Sequence, residues 1–349
     1  MKSSEFVEML QANDLDFVAT VPCTITTQLH ELLAAHNKIR LFTTYHEHNL
    51  PGIAAGYYIA TGKPAVIHMQ NSGFSNALDG LLTCIKLYNI PVLILVTWRG
   101  DSSLDTSEPH QLIGSVTEEI TSIPSFPVFG SKNAIHFHDD VQAALDCIRK
   151  GMPAILRISS DSFDKGQTEV ISMNKAISSG RTRTLDKIHL GTREEALLYI
   201  KNKYDLKKTI FIFSNGYTAR AAFTVFDTAK CFYNIGYMGG SLSIGYTLAM
   251  LQSGVNVVVI DGDQNAQMSC MKDHLFSDYP LNLNYYIINN NSGASVGNAS
   301  SIPLSSYYSK LSNVIDIPVD TQAFIHPRLK VVGGFPKYLE TLRSFIKKI

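Results

Sequence analysis

The stretch from Val257 to Asn298 limits what this chain can fold into more than any other part of it. Four apolar residues, Val257-Val258-Val259-Ile260, end in Asp261-Gly262-Asp263. A second apolar run, Tyr285-Tyr286-Ile287-Ile288, ends in Asn289-Asn290-Asn291. Between the runs there is room for a helix and two loops. The pattern predicts a βαβ unit with parallel strands, so both carboxyl ends open on the same side of a sheet. Ligands of such sheets sit at those ends. One carboxylate and one amide carbonyl, both hard oxygen donors, would converge there. That suits Mg²⁺ held against a phosphate. An ordinary nucleotide-type βαβ turn is the other reading of the same residues.

The chain has 349 residues, 45% of them hydrophobic, enough for two domains that each bury a core. Thirty basic and thirty acidic side chains cancel. No charge excess points to nucleic acid or to a membrane surface, so an anionic ligand has to be met by local charge. The five cysteines are scattered, with no Cys-x-x-Cys pair, which fits a reducing cytoplasm better than a disulfide framework or a zinc site. The first residues, MKSSEFVEMLQANDLDF, are amphipathic and contain acids, unlike a signal peptide. No apolar run reaches the length of a membrane span.

Residues 1–160 read as alternating helices and strands. Strands are expected over 17–21, 40–44, 65–68, 92–96 and 154–158. Val92 to Val96 is apolar on both faces, as a buried parallel strand should be. A polar loop follows Trp98-Arg99-Gly100, and a helix is expected near 140–149. Residues 161–191, rich in Ser, Thr, Lys, Asp and Gly, read as a linker. The second domain, 192–349, opens on Thr192-Arg193-Glu194-Glu195, a capping box. Its strands are expected over 209–214, 231–235, 255–260 and 283–289, with a weak one near 314 and a closing helix over 336–347. The fold class is therefore α/β, two doubly wound parallel-sheet domains with no middle domain.

With its neighbours, the opening stretch resembles the thiamine diphosphate (ThDP) motif, which opens Gly-Asp-Gly and closes Asn-Asn; Asn290 lies 27 residues after Asp263. Gln264 departs from it, standing where the family has its second glycine. Other segments, in the family's order, are similar to phosphonopyruvate decarboxylases and their sulfopyruvate-decarboxylating relatives. They are Glu47-His48-Asn49, Ala54 to Ala65, Met69-Gln70-Asn71-Ser72-Gly73, Trp98-Arg99-Gly100, Asn215 to Arg220 and Gly236-Tyr237-Met238-Gly239.

The resemblance implies a pyrimidine-binding domain followed by a diphosphate- and Mg²⁺-binding domain. Glu47 would hydrogen-bond the aminopyrimidine ring and drive its amine to the imino form. Asp263, Asn290 and the carbonyl of Ser292 would bind Mg²⁺. Met238 would bend the cofactor, and the carbonyl of Gly236 would accept from its amine. Gly216, Tyr217, Thr218, Gly262, Asp263 and Gln264 would lie by the diphosphate, and Gln70, Asn71 and Ser72 would line the site. In that family the site lies between subunits, so a homodimer or larger is implied.

The implied reaction is ThDP- and Mg²⁺-dependent decarboxylation of an anionic 2-oxo acid, 3-phosphonopyruvate first. Sulfopyruvate decarboxylation, carboligation and an inactive binding subunit are the alternatives. Arg99 and His110 are candidates for the distal anion, since a guanidinium can fork onto its oxygens. The competing role for Arg99 is a surface salt bridge, and for Glu47 a solvated acid at a helix start. His46 and His48 flank Glu47 as proton shuttles or polar wall. His68, inside a strand, reads as a core histidine with a partner.

Overall fold

The computed structural model describes residues 1–102, 105–164, 188–226, 230–277, 279–293, 299–300, 303–304, 308, 313–316, 329, 331 and 333–348. The chain forms two compact units, Met1–Lys175 and Ala176–Ile349. Most of the expected linker, and the last residues of the opening stretch, lie outside the described residues. The gap between Asp164 and Ile188 is too short for a third domain.

The first unit is a six-stranded parallel sheet. Its strands are β1 (Phe17–Thr20), β2 (Arg40–Thr43), β3 (Ala65–Gln70), β4 (Val92–Thr97), β5 (Val128–Phe129) and β6 (Ala154–Ile158), in the order β2-β1-β3-β4-β6-β5. Every residue of β4 is buried, which its unbroken apolar run requires of a central parallel strand. The helices are α1 (Ser3–Ala12), α2 (Thr27–Ala35), α3 (Asn49–Thr61), α4 (Asn71–Gly80), α5 (Glu108–Ser115), α6 (Thr117–Ser122) and α7 (Phe137–Arg149). Two neighbouring residues of β1 show that the sheet is covered on both faces. Val18 joins Phe6 and Leu10 of α1, Leu33 of α2 and Leu145 of α7 in one core. The ring of Phe17, pointing the other way, stacks on Tyr57 of α3 with centroids 4.5 Å apart. Helix α3 is buried almost all round, and its small residues let it lie close.

The second unit repeats the architecture. Its sheet order is β7-β14-β11-β10-β8-β9, all parallel. The strands are β7 (Ile188–His189), β8 (Thr209–Phe213), β9 (Cys231–Tyr233), β10 (Asn256–Gly262), β11 (Leu283–Asn289) and β14 (Asn313–Asp316), with a small hairpin of β12 (Ser292–Gly293) and β13 (Ala299–Ser300). The helices are α8 (Arg193–Asn202), α9 (Tyr217–Val225), α10 (Ser241–Leu251), α11 (Asp263–Met268) and α12 (His274–Ser277), with a closing helix Gly334–Ile346. The capping box is present: Glu195 N donates to Thr192 Oγ1 at 3.1 Å, and Thr192 N donates to Glu195 Oε2 at 3.1 Å. Gly245 lets α10 press onto β10, since a Cβ there would lie 2.1 Å from Val259 Cγ2.

In both sheets the chain reverses its direction of winding beside the first central strand. In the first unit β1 is followed by β2 on one side, then β3 on the other; in the second, β8 is followed by β9, then β10. These are the switch points where parallel sheets open a crevice at their carboxyl ends. Three differences from the sequence-based expectations stand out. Helices α5 and α6 and strand β5 occupy a region that gave no pattern. Strand β10 runs on to Gly262, so Asp263 starts a helix directly. The closing helix begins at Gly334, with Pro336 in its first turn. No helix among the described residues is long and apolar enough to cross a membrane.

Candidate active site

In the first unit, Glu47 sits in the turn that enters α3. Its carbonyl accepts from Leu50 N at 3.0 Å, and the preceding carbonyl of His46 accepts from Asn49 N at 3.1 Å. Asn49, buried, ties this turn to the end of β2 through Thr44 Oγ1 at 2.9 Å. The Glu47 carboxylate reaches across to α4. There Asn76 Nδ2 donates to Oε2 at 3.1 Å, and a Cβ on Gly73 would lie 2.2 Å from Oε1. His46 and His48 are half-buried, with ring centroids 6.3 Å apart, and His46 Nδ1 accepts from His48 N at 3.1 Å.

Gln70 ends β3, and its Nε2 donates to Ser72 Oγ at 2.7 Å while Cys23 Sγ donates to its Oε1 at 3.4 Å. Asn71 is fully buried, and its amide is spent on its own unit. Nδ2 donates to the Arg99 carbonyl and to Thr117 Oγ1, and Oδ1 accepts from Ser72 N and Arg99 N. Its side chain therefore braces the loop after β4, leaving half-buried Gln70 and exposed Ser72 as the accessible polar groups of this segment.

Arg99 is half-buried. Its Nη2 donates to Thr24 Oγ1, and its buried Nε has no partner among the described residues. His110 lies on α5 and bonds Asp105 through Nδ1 at 2.9 Å. That hydrogen bond, helped by Gly100 N and Ser107 N, holds the Asp105 carboxyl below its usual range. His110 thus serves the loop that carries Arg99. His68 is a core histidine: Nδ1 meets Thr20 Oγ1 at 2.8 Å, Nε2 meets Thr26 Oγ1 at 3.1 Å, and burial pulls its pKa down to about 4.

In the second unit, the residues of the opening stretch stand at the carboxyl ends of adjacent strands. Gly262 of β10 pairs in register with Ile288 of β11, so Asp263 leaves its strand level with Asn289, one residue before Asn290. Both are buried, at 4% and 2% exposure, as is Ser292. Asn290 and Ser292 are linked twice: Nδ2 to Oγ at 3.1 Å, and Ser292 N to Oδ1 at 3.4 Å. Gln264 has ordinary helical backbone and donates its N–H to Asp263 Oδ1 at 3.0 Å.

Across the switch point, Gly216 (φ 82, ψ −145) caps α9 in a conformation reserved for glycine. No side chain caps this helix, so the first-turn N–H groups of Tyr217 and Thr218 point outward from its positive end. Thr218 Oγ1 would lie 3.6 Å from a Cβ on Gly262, which brings α9 beside the acid motif. Met238 is 47% exposed on a loop that Asn234 holds through Tyr237 O at 2.6 Å and Ser241 Oγ at 3.0 Å. Gly236 lies two residues before it in the same loop. A large apolar side chain presented on a rigid loop is a contact surface.

These residues fit ThDP and Mg²⁺. The oxygens at Asp263, Asn290 and Ser292 are hard and buried, and α9 offers N–H groups to a phosphate. Among the described residues no three His, Cys, Asp or Glu side chains could hold a metal together. A metal here would therefore share its coordination with amide and backbone carbonyls and with the cofactor's phosphates.

Three residues were not singled out from sequence as site candidates. Asn76 has no motif around it. Asp261 is fully buried beneath Asp263, accepts from Tyr285 Oη at 2.8 Å, and burial pushes its pKa up to about 6. The repeated acid in Asp261-Gly262-Asp263 was its only trace. Arg193, read as the interior of a capping box, lies over the Tyr217 ring at 5.8 Å and feels the Asp263 charge.

Comparison with known proteins agrees with this geometry. Residues 3–119 match the family described as thiamine pyrophosphate enzyme, N-terminal TPP binding domain, and residues 203–327 match its C-terminal TPP binding domain. The phosphonopyruvate decarboxylase of Streptomyces hygroscopicus is 26% identical over 332 residues, 91% of this chain and 78% of that protein. The sulfopyruvate decarboxylase subunit alpha of Methanocaldococcus jannaschii is 32% identical over 124 residues, 35% of this chain and 72% of that one. The solved benzoylformate decarboxylase of Polynucleobacter necessarius shares the fold, with a TM-score of 0.62 at 10% identity over 91% of this chain and 99% of that one. Two switch-point crevices, each inside the matching cofactor-binding domain, leave one assignment: the chain belongs to the thiamine pyrophosphate enzymes, and thiamine diphosphate is its cofactor.

Proposed function

We propose that this enzyme catalyses the Mg²⁺-dependent, non-oxidative decarboxylation of an anionic 2-oxo acid, with 3-phosphonopyruvate giving phosphonoacetaldehyde and CO₂. The observation that carries the reading is the Glu47 carboxylate, presented at the switch point of the pyrimidine-type unit on two supports from α4. An inactive binding subunit would have no use for an acid held in this way. Bound ThDP supplies a thiazolium that takes up the electron pair left by departing CO₂.

The chain's own residues do the rest. Glu47 exchanges a proton with the aminopyrimidine ring through its carboxylate. Asp263, Asn290 and the Ser292 carbonyl hold Mg²⁺, and the N–H groups of α9 hold the diphosphate. Met238 supports the cofactor from its rigid loop. Arg99 receives the distal phosphonate, with Thr24 fixing one side of its fork. A homodimer or larger is part of this reading.

The likeness to the sulfopyruvate decarboxylase subunit keeps sulfopyruvate as the second substrate, because a guanidinium serves a sulfonate as well. A panel of pyruvate, phosphonopyruvate and sulfopyruvate tests the reading, with CO₂ and aldehyde both measured. The expected result is a much higher kcat/KM for phosphonopyruvate than for pyruvate. CO₂ released without free aldehyde would favour carboligation, and turnover of none of the three would overturn the proposal.

A further inference from the structure

We propose that Asn76 is a positioning residue for Glu47, and that Gly73 and Asn76 together form a seat for its carboxylate on α4. The inference rests on the reading of Glu47 as the cofactor-activating acid.

The two residues are one helical turn apart on α4, so they face the same way. Gly73 is buried and offers a hollow: a Cβ there would lie 2.2 Å from Oε1, 2.3 Å from Cδ and 2.5 Å from Cγ of Glu47. No other residue type leaves room for the carboxylate in this position. Asn76 is exposed, so its amide is not filling a core. Its Nδ2 donates to Oε2 at 3.1 Å and holds the second oxygen of the same carboxylate.

A glutamate side chain has three rotatable bonds and is free to wander when half-exposed. One hydrogen bond to Oε2, with steric confinement of Oε1, selects one orientation. It also fixes which oxygen faces which residue: Oε2 accepts from Asn76, and Oε1 lies against Gly73. Because misplacing a catalytic group by about 1 Å costs on the order of a hundredfold in rate, the seat sets how much of the Glu47 chemistry is realised. Asn76 itself touches no reacting atom.

The test uses the full chain loaded with ThDP and Mg²⁺. Three quantities are followed: kcat and KM, the circular-dichroism band of the imino tautomer of the bound cofactor, and cofactor affinity by calorimetry. Asn76→Ala is expected to lower kcat and the imino band about tenfold each, with KM and cofactor affinity changed less than about twofold. Asn76→Gln, which keeps a donor, is expected to recover a large part of both. In a Glu47→Gln background, Asn76→Ala is expected to change nothing further, because its effect runs through Glu47. The proposal is overturned if Asn76→Ala leaves kcat and the imino band intact, or if it lowers them equally in the Glu47→Gln background. Glu47→Gln alone separates the two levels. If it spares the imino band, the Glu47 reading fails and the seat fails with it. If it abolishes the band while Asn76→Ala does not weaken it, only the seat fails.

Discussion

A methyl group on Gly73 would sit 2.2 Å from Oε1 of Glu47, well inside van der Waals contact. Gly73→Ala therefore forces the carboxylate out of its position. The same change should not weaken α4, where Gly73 stands in the first turn, because alanine is favoured over glycine in a helix by up to about 1 kcal/mol. The expected outcome is a split: kcat falls roughly a hundredfold, while the unfolding temperature stays level or rises. Thermal unfolding and steady-state kinetics on one preparation check it. A variant that loses both stability and activity would show that Gly73 serves the fold and not the carboxylate.

How far the sequence revealed this arrangement depends on which contacts are local. Strands β4, β10 and β11 were legible because each is a continuous apolar run that only a buried parallel strand explains. An acid and amides at the ends of adjacent parallel strands followed from them, and the resemblance to the ThDP motif singled out Asp263 and Asn290 among these. Asn76 was not legible. It meets Glu47 across 29 residues of chain, and nothing in the local pattern of α4 announces the pairing. Helix α5 was missed because Gly114 is its only fully buried residue, so the apolar period that marks a helix is weak. Asn71 shows the reverse: the motif singled it out, and the fold uses its amide to hold the loop of Arg99.

Asp263→Ala removes the one carboxylate from the proposed metal set, leaving the amide and backbone carbonyls of Asn290 and Ser292. Loss of a charged ligand should weaken ThDP binding by tenfold or more, with excess Mg²⁺ restoring only part of it. Calorimetric titration with ThDP across a range of Mg²⁺ concentrations reads this directly. Unchanged affinity would take Asp263 out of the metal site.

His68 makes stability depend on pH. Its pKa in the folded chain is about 4, against 6.5 for the free side chain, because burial disfavours the imidazolium. A depressed folded value means the contribution is fully present above 6.5 and is lost as pH falls towards 4. The shift corresponds to about 3 kcal/mol at its limit. His68→Gln should lower the unfolding temperature at pH 7.5, where the bonds to Thr20 and Thr26 are weakened. It should also lose less than the parent chain between pH 7.5 and 4.5. Parallel losses in the two proteins would place the acid sensitivity elsewhere.

On the proposed reading, Arg99 recognises the distal anion of the substrate. Its guanidinium is half-buried, with Nη2 bonded to Thr24 and a buried Nε free of partners among the described residues. A charge-assisted hydrogen bond contributes about 1.5–3 kcal/mol, which is roughly 10- to 150-fold in affinity. Arg99→Met should therefore raise KM for phosphonopyruvate by that order and leave KM for pyruvate, which has no distal anion, nearly unchanged. Arg99→Lys should fall between, because an ammonium keeps the charge and loses the planar fork. The comparison of the two substrates is what makes the test specific. Damage to the loop that Asn71 and Asp105 hold in place would raise both constants together, whereas loss of an anion contact raises only one.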